Sequence, residues 1–290
     1  MANFKVLPLT FKKGTNLEIG RYYELEVARE VDFGMYLSSD LGDILLPQKY
    51  IPGKIVVGST LKVFVYKDTE DRLIATTETA FGEVGDIVSL EVVDRTSHGA
   101  FMHWGLIKDL FVPKKEQPQP FRVGEHHVVR ICLDYKTDRL IGTGKINAFL
   151  KKDDVQLSEG QKVEALIYSQ SELGYKAVVN QLYSGLIYTN EVYDHLATGD
   201  KRIAFVKQVR EDGKIDLSLK PMGKAAIDKD AAHILELLKL NNGKLPYHDK
   251  SSPEEIKYFF KLSKKAFKKA LGGLLKKRLI KLNDKGFEAT

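Results

Sequence analysis

An aspartate followed by an arginine recurs in one setting, as Asp71–Arg72 in "TEDRLIATT" (69–77) and Asp138–Arg139 in "KTDRLIGTG" (136–144). A guanidinium in such a turn either pairs with a neighbouring carboxylate or holds a phosphate, since its fork matches both anions. Other chemistry is poorly represented. The 7 histidines include His98/His103 and His126/His127, at strand spacings without a supporting cysteine or carboxylate cluster, so no metal site is expected. "GTGK" (142–145) lacks the insert and the hydroxyl of a phosphate loop, and no Ser–His–Asp spacing stands out. Cys132, the single cysteine, sits in the alternating run "VVRICLD" and reads as a small buried apolar side chain. It excludes an internal disulfide framework and fits a reducing compartment. No cofactor and no catalytic residue is expected.

Basic and aromatic side chains remain. The formal net charge is +6, distributed as −1 over residues 1–79, +2 over 80–152, −2 over 153–224 and +7 over 225–290. A basic terminal module points to a polyanionic partner, against the background that solvated lysines are common.

The elements that must position these residues repeat. "IGRYYELEV" from Ile19 aligns with "VGDIVSLEV" from Val84, "DFGMYL" (32–37) with "SHGAFM" (97–102), and "DILLP" (43–47) with "DLFVP" (109–113). "VGSTLKVFV" (57–65) aligns with "VGEHHVVRI" (123–131), and the Asp–Arg turns follow in the same order. A third, more divergent copy runs through "EGQKVEALI" from Glu159, "LGYKAVV" (173–179), "SGLIY" (184–188), "TGDKRIAFVKQV" (198–209) and "GKIDLSLK" (213–220). Each copy reads as five short strands with two-residue alternation, broken by Gly, Asp and Asn turns. That is the size of a small, partly open barrel of the OB type. The expected fold class is mainly β: three tandem five-stranded OB-type barrels (1–79, 80–146, 153–222), then an α+β winged-helix domain (226–290). "KKEQPQPF" (114–121) reads as a surface loop, and "NAFLKKDD" (147–154) as a linker.

The pattern resembles the S-one-type RNA-binding repeat, which reads in outline G-a-F-V, then G-L-l-H, then d-x-x-g-R-i-x-L-S-x-K. "HGAFM" and "DGKIDLSLK" carry the resemblance best. It implies base stacking on the outward face of strands two and three, with basic groups following the phosphates. Carried onto this chain, it implies Phe33, Tyr36 and Arg72 in copy one, and His98, Phe101 and Arg139 in copy two. In copy three it implies Tyr175, Lys176, Tyr188 and Lys214; the positive potential there must come from Lys176, Lys207, Lys214 and Lys220, since the copy's net charge is −2. Where the family has its histidine, this chain is read as having Leu46, Val112 and Tyr188.

From residue 225 the period changes from two to 3.6. "DKDAAHILELLKL" (228–240) ends at "NNG"; Ser252, Pro253 and Glu255 form a capping box. Ser263 caps a helix whose apolar stripe (Ala266, Phe267, Ala270, Leu271, Leu274 and Leu275) lies opposite Lys264, Lys265, Lys268 and Lys269. "LIKLNDKGFEA" reads as a hairpin about Gly286, completing a winged helix. Gly272 and Gly273 either allow tight helix packing or admit a partner's backbone.

Three such barrels before a winged helix resemble the conserved virulence factor B family. The resemblance implies a non-catalytic RNA-binding regulator of gene expression, and by the family's name of virulence. The expected partner is single-stranded RNA, with duplex nucleic acid open to the winged helix; a DNA-binding regulator and a ribosome-associated scaffold are the rival readings. No apolar run reaches membrane-helix length and the first residues lack a secretory core, so a cytoplasmic protein without a membrane partner is expected. The oligomeric state is not legible.

Overall fold

The computed structural model describes residues 17–192, 195–221, 223–283 and 286–290. They divide into two compact units between Ala148 and Phe149.

The first unit holds two barrels. Barrel 1 comprises β1 (Arg21–Val31), β2 (Gly34–Leu37), β3 (Ile44–Pro47), β4 (Thr60–Lys67) and β5 (Leu73–Thr76). Barrel 2 comprises β6 (Ile87–Arg95), β7 (Gly99–His103), β8 (Leu110–Pro113), β9 (His126–Leu133) and β10 (Leu140–Thr143). Both are closed rather than partly open, because β5 pairs in parallel with β3, and β10 with β8. One long first strand serves both neighbours, and a bulge bends it, between Val27 and Arg29 in β1 and between Val92 and Asp94 in β6. Alternation fills the interior of barrel 1 with Val27, Met35, Leu37, Ile44, Leu46 and Val65.

The two barrels share an apolar seam. Phe64, Tyr66 and Ile74 leave the interior of barrel 1 and join Ala80, Trp104 and Leu106 in one buried cluster. Phe64 meets Trp104 edge to face at 5.7 Å and Tyr22 at 5.1 Å, and the Tyr22 hydroxyl accepts from the Ala80 N–H at 2.8 Å. At Gly20 (φ +87) a Cβ would collide with Val84. The 114–121 insert is pinned rather than loose: Glu116 accepts from the Thr143 hydroxyl at 2.9 Å, and Phe121 stacks on His127 at 3.8 Å.

The second unit begins with barrel 3: β11 (Lys162–Ser171), β12 (Gly174–Val179), β13 (Tyr183–Tyr188), β14 (Lys201–Val209) and β15 (Ile215–Ser218), again closed by a parallel β13–β15 pair. Lys151 bridges to Tyr183, so this part of the expected linker is fastened to barrel 3.

The winged helix follows as α1 (Gly223–Leu240), β16 (Lys244–Leu245), α2 (Pro253–Phe260), α3 (Lys264–Lys276), β17 (Ile280–Asn283) and β18 (Gly286–Ala289). The capping box forms: Ser252 Oγ accepts from the Glu255 N–H at 3.1 Å, and Glu255 Oε2 accepts from the Ser252 N–H at 2.8 Å. Ser263 Oγ caps α3 by accepting from Ala266 N–H at 3.2 Å. Ile234, Phe260, Phe267, Leu271, Leu274 and Phe287 fill the core. Gly286 opens β18, where a Cβ would collide with the Leu245 carbonyl; Asp284 and Lys285, like the first 16 residues of the chain, lie outside the described residues.

Trp104 is the 1 tryptophan of the chain, so its fluorescence reports the seam. Phe64→Ala, at a fully buried ring, is expected to cost about 3–5 kcal/mol in denaturant titration followed by that fluorescence. An unchanged midpoint would show that the seam is not cooperative with the fold.

Candidate nucleic-acid interface

Equivalent residues in the three barrels follow from strand pairing. Gly34 pairs with Pro47, Gly99 with Pro113 and Gly174 with Tyr188. A Cβ on any of these glycines would collide with the carbonyl of Leu46, Val112 or Ile187 respectively, which is why each second strand opens on glycine. The register corrects one expectation: Pro47 and Pro113, not Leu46 and Val112, are the counterparts of Tyr188. Leu46 and Val112 are fully buried.

Outward positions on the second strands are Tyr36, Phe101 and Lys176, facing Leu45, Phe111 and Leu186 on the third. In barrel 1, Phe33 is 58% exposed at the strand turn and lies 6.4 Å from Tyr36. The Arg29 guanidinium lies 3.9 Å from the Tyr36 ring centre. In barrel 2, Phe101 and Phe111 form a tilted pair at 5.1 Å on the outer face, next to the exposed His98. Phe111 is not among the residues expected from the sequence; alternation counted back from Pro113 places it on the outer face with Phe101. In barrel 3, Tyr175 differs from its expected outward placement. It stands at the Met35 and Ala100 position and packs on the interior, while Lys176 faces out.

The repeated Asp–Arg turns act differently from one another. Arg72 stays local, pairing with Asp68 and Glu70 at 2.8 Å each. Arg139 reaches the other barrel and grips Asp71 with two bonds, Nε to Oδ1 at 2.6 Å and Nη2 to Oδ2 at 2.8 Å. Lys67 answers in the opposite direction, 3.6 Å from Asp138. Lys108, its ammonium disfavoured by burial, donates to the Lys67 and Asp68 carbonyls at 3.1 and 3.0 Å. The two turns thus clasp barrels 1 and 2 through crossed ion pairs. Hydrogen bonding from Arg139 holds the Asp71 carboxyl below its ordinary 3.8.

Barrel 3 departs from this arrangement. Position 210, which holds an acid in the other barrels (Asp68, Asp134), is arginine. Arg210 Nη2 lies 2.6 Å from the Tyr188 hydroxyl and 2.6 Å from Asp216 Oδ1. A bulge found in β14 but not in β4 or β9 inserts Lys207, whose ammonium sits 5.8 Å from the Tyr188 ring centre. Lys214 is exposed and pairs with Asp212 at 2.6 Å.

On α3, Lys265, Lys268 and Lys269 are exposed and Lys264 is half-buried. Lys268 approaches Asp249 at 3.9 Å. Gly272 lies on the same exposed face, and a Cβ there would meet nothing within 4 Å, so helix packing does not require that glycine. In the wing, Lys281 and Lys244 flank Glu288 at 3.1 and 3.6 Å. Burial pushes the Cys132 thiol up to about 11, which keeps it protonated at neutral pH. Among the described residues no group of three metal-ligating side chains occurs, and no helix is long and apolar enough to cross a membrane.

Comparison with known proteins agrees with this layout. An S1 domain model matches residues 19–78, and a CvfB-like winged helix domain model matches residues 232–288. The Bacillus subtilis protein YitL is 29% identical over 277 residues, 91% of each chain. Conserved virulence factor B of Staphylococcus epidermidis is 25% identical over 279 residues, 93% of this chain and 86% of that one. The chain is thus similar over most of its length to proteins of the conserved virulence factor B type. A Streptococcus pneumoniae crystal structure, titled a multidomain protein with nucleic acid binding domains, shares 28% identity over 96% of this chain, with a TM-score of 0.43. The chain thus joins an S1 domain to a winged-helix domain, modules of nucleic-acid-binding type.

Two outcomes follow from the geometry. Asp71, with its lowered pKa, adds stability that is complete above pH 3.8 and fades as the pH falls through its lower folded value. Acid titration of the Trp104 signal should show that loss in the wild type, and Asp71→Asn should flatten it. Gly272→Ala fills open space on a helix and should stabilise the winged helix by about 0.5–1 kcal/mol in thermal melts. Destabilisation would mean that the position is crowded after all.

Proposed function

We propose that the chain is a non-catalytic, multivalent binder of single-stranded RNA that works in the cytoplasm as a post-transcriptional regulator of gene expression. The observation carrying this reading is the Tyr188 ring on the outer face of barrel 3, with Lys207 5.8 Å from its centre and Arg210 on its hydroxyl. An exposed ring with cations close by is the combination that stacks a base while the adjoining phosphates are held, and it is indifferent to base identity. The Phe101–Phe111 pair offers barrel 2 a second platform, and Phe33 with Tyr36 offers barrel 1 a third.

Arg72 and Arg139 contribute less under this reading, since each is already engaged by carboxylates, and a phosphate must displace them. Lys265, Lys268 and Lys269 add sequence-independent attraction, because an ammonium is a point charge without the fork that reads bases. Weak sites on one chain raise one another's effective concentration, so the whole binds more tightly than its parts.

The test is a titration of the full chain with labelled single-stranded RNA and, separately, duplex DNA, at two salt concentrations. Preference for the single strand and a steep loss of affinity with salt are expected. Tyr188→Ala should cost about 1–3 kcal/mol of RNA affinity with the melting temperature unchanged. Exclusive binding of duplex DNA, or an RNA affinity untouched by Tyr188→Ala, would defeat the reading.

A further inference from the structure

Barrel 3 differs from its two siblings at three positions that converge on one side chain. Asp68 and Asp134 become Arg210. Ile74 and Ile141, on β5 and β10, become Asp216 on β15, as the shared pairing of these strands with β3, β8 and β13 shows. The strand before them gains one residue, Lys207.

None of these changes serves the fold. Asp68 ties its turn by accepting from the Glu70 and Arg72 N–H groups at 2.8 and 3.0 Å. In barrel 3 that task passes to Asp212, which accepts from Lys214 N–H at 3.2 Å, leaving position 210 without a turn to hold. Asp216 is only 8% exposed, and an isoleucine fills the same site in barrels 1 and 2. A buried ion pair is seldom more stabilising than an apolar residue of similar volume, and the apolar solution stands twice in this same chain. The Arg210–Asp216 pair therefore has a purpose other than stability. The Asp216 carboxylate, 2.6 Å away, pairs with the guanidinium and raises the Arg210 pKa further. The printed contacts are made through Nη2, and a third of the side chain (33%) is exposed, so the guanidinium is reachable by an acceptor from solvent.

We infer that Arg210 is the phosphate-anchoring residue of barrel 3, set by Asp216 and the Tyr188 hydroxyl so that the backbone phosphate beside a base on Tyr188 is gripped. The inference rests on the RNA-binding reading above. It makes barrel 3 the strand-holding module through a cation where the repeat pattern places an acid. Arg210 then serves two roles at once, orienting the ring and neutralising one phosphate.

The test uses the full chain and a labelled oligouridylate about 12 nucleotides long, within the roughly 4–16 that one such barrel covers. Arg210→Met combined with Asp216→Asn removes the cation without stranding a buried carboxylate. It should weaken binding about tenfold or more, the loss of one charge-assisted hydrogen bond, and reduce the slope of log affinity against log salt by about 0.7. Arg210→Lys keeps the charge but not the fork, so affinity should fall severalfold with the slope retained. A folded double variant with wild-type affinity and slope overturns the inference, as does lost affinity with an unchanged slope, which would confine Arg210 to holding Tyr188. If the double variant unfolds, Arg210→Lys decides: wild-type affinity overturns the proposal. A wild-type chain that binds no RNA removes the underlying reading as well, an outcome distinct from loss of this inference alone.

Discussion

Every barrel in this chain is registered by one backbone contact. At Gly34, Gly99 and Gly174 the second strand lies so close to the third that a Cβ would collide with a carbonyl oxygen. Because side chains alternate with a period of two, slipping this pairing by one residue would turn the interior set outward. The contact therefore decides which rings are core and which face solvent. It sends Met35, Ala100 and Tyr175 inward, and Tyr36, Phe101 and Lys176 outward. Any ligand face on these barrels is a consequence of that register.

A single scaffold used three times has diverged in what surrounds that face. In barrel 1 the outer wall at Phe64, Tyr66 and Ile74 is consumed by packing against barrel 2. The neighbouring turn is consumed too, since Asp71 serves Arg139. The charged groups at these turns thus bind another part of the protein before they bind any ligand. Barrel 3 has polar residues at the corresponding wall positions, Gln208 and Asp216 in place of Tyr66 and Ile74. Its turn carries Arg210 and Lys214 without a clasp partner of the Asp71 kind among the described contacts. The same turn sequence thus answers two needs: joining barrels where an aspartate meets a distant arginine, and presenting cations where it does not.

Much of this was legible in the sequence, and what was missed shares a physical cause. The duplication, the strand order and the caps at Ser252 and Ser263 rest on signals spanning a few residues, and they read directly. The Arg139–Asp71 clasp joins residues 68 apart in sequence, and nothing local announces it. Phe111 was missed because the resemblance names the second strand's ring and the histidine site, and only the β7–β8 register brings Phe111 opposite Phe101. The same lack of a register shifted the counterpart of Tyr188 by one place, from Pro47 to Leu46. Arg210 was missed for the opposite reason: it breaks the repeat pattern, and a reading by resemblance looks first at what matches.

Net charge is a poor guide to which module holds a polyanion. Residues 153–224 sum to −2 and residues 225–290 to +7, which by itself favours the tail. Yet charges in water are screened within about 8–10 Å at physiological salt, so an acid on the far side of a barrel scarcely affects a phosphate on the near side. What counts at contact range is the arrangement around Tyr188, where Lys207 and Arg210 are placed by a bulge and a buried carboxylate. The α3 lysines, spread along an exposed helix face, act at longer range and with less geometry. Attraction and grip are separate physical tasks, and under the proposed reading the two ends of the second unit divide them: the helix gathers an anionic strand, the barrel holds it.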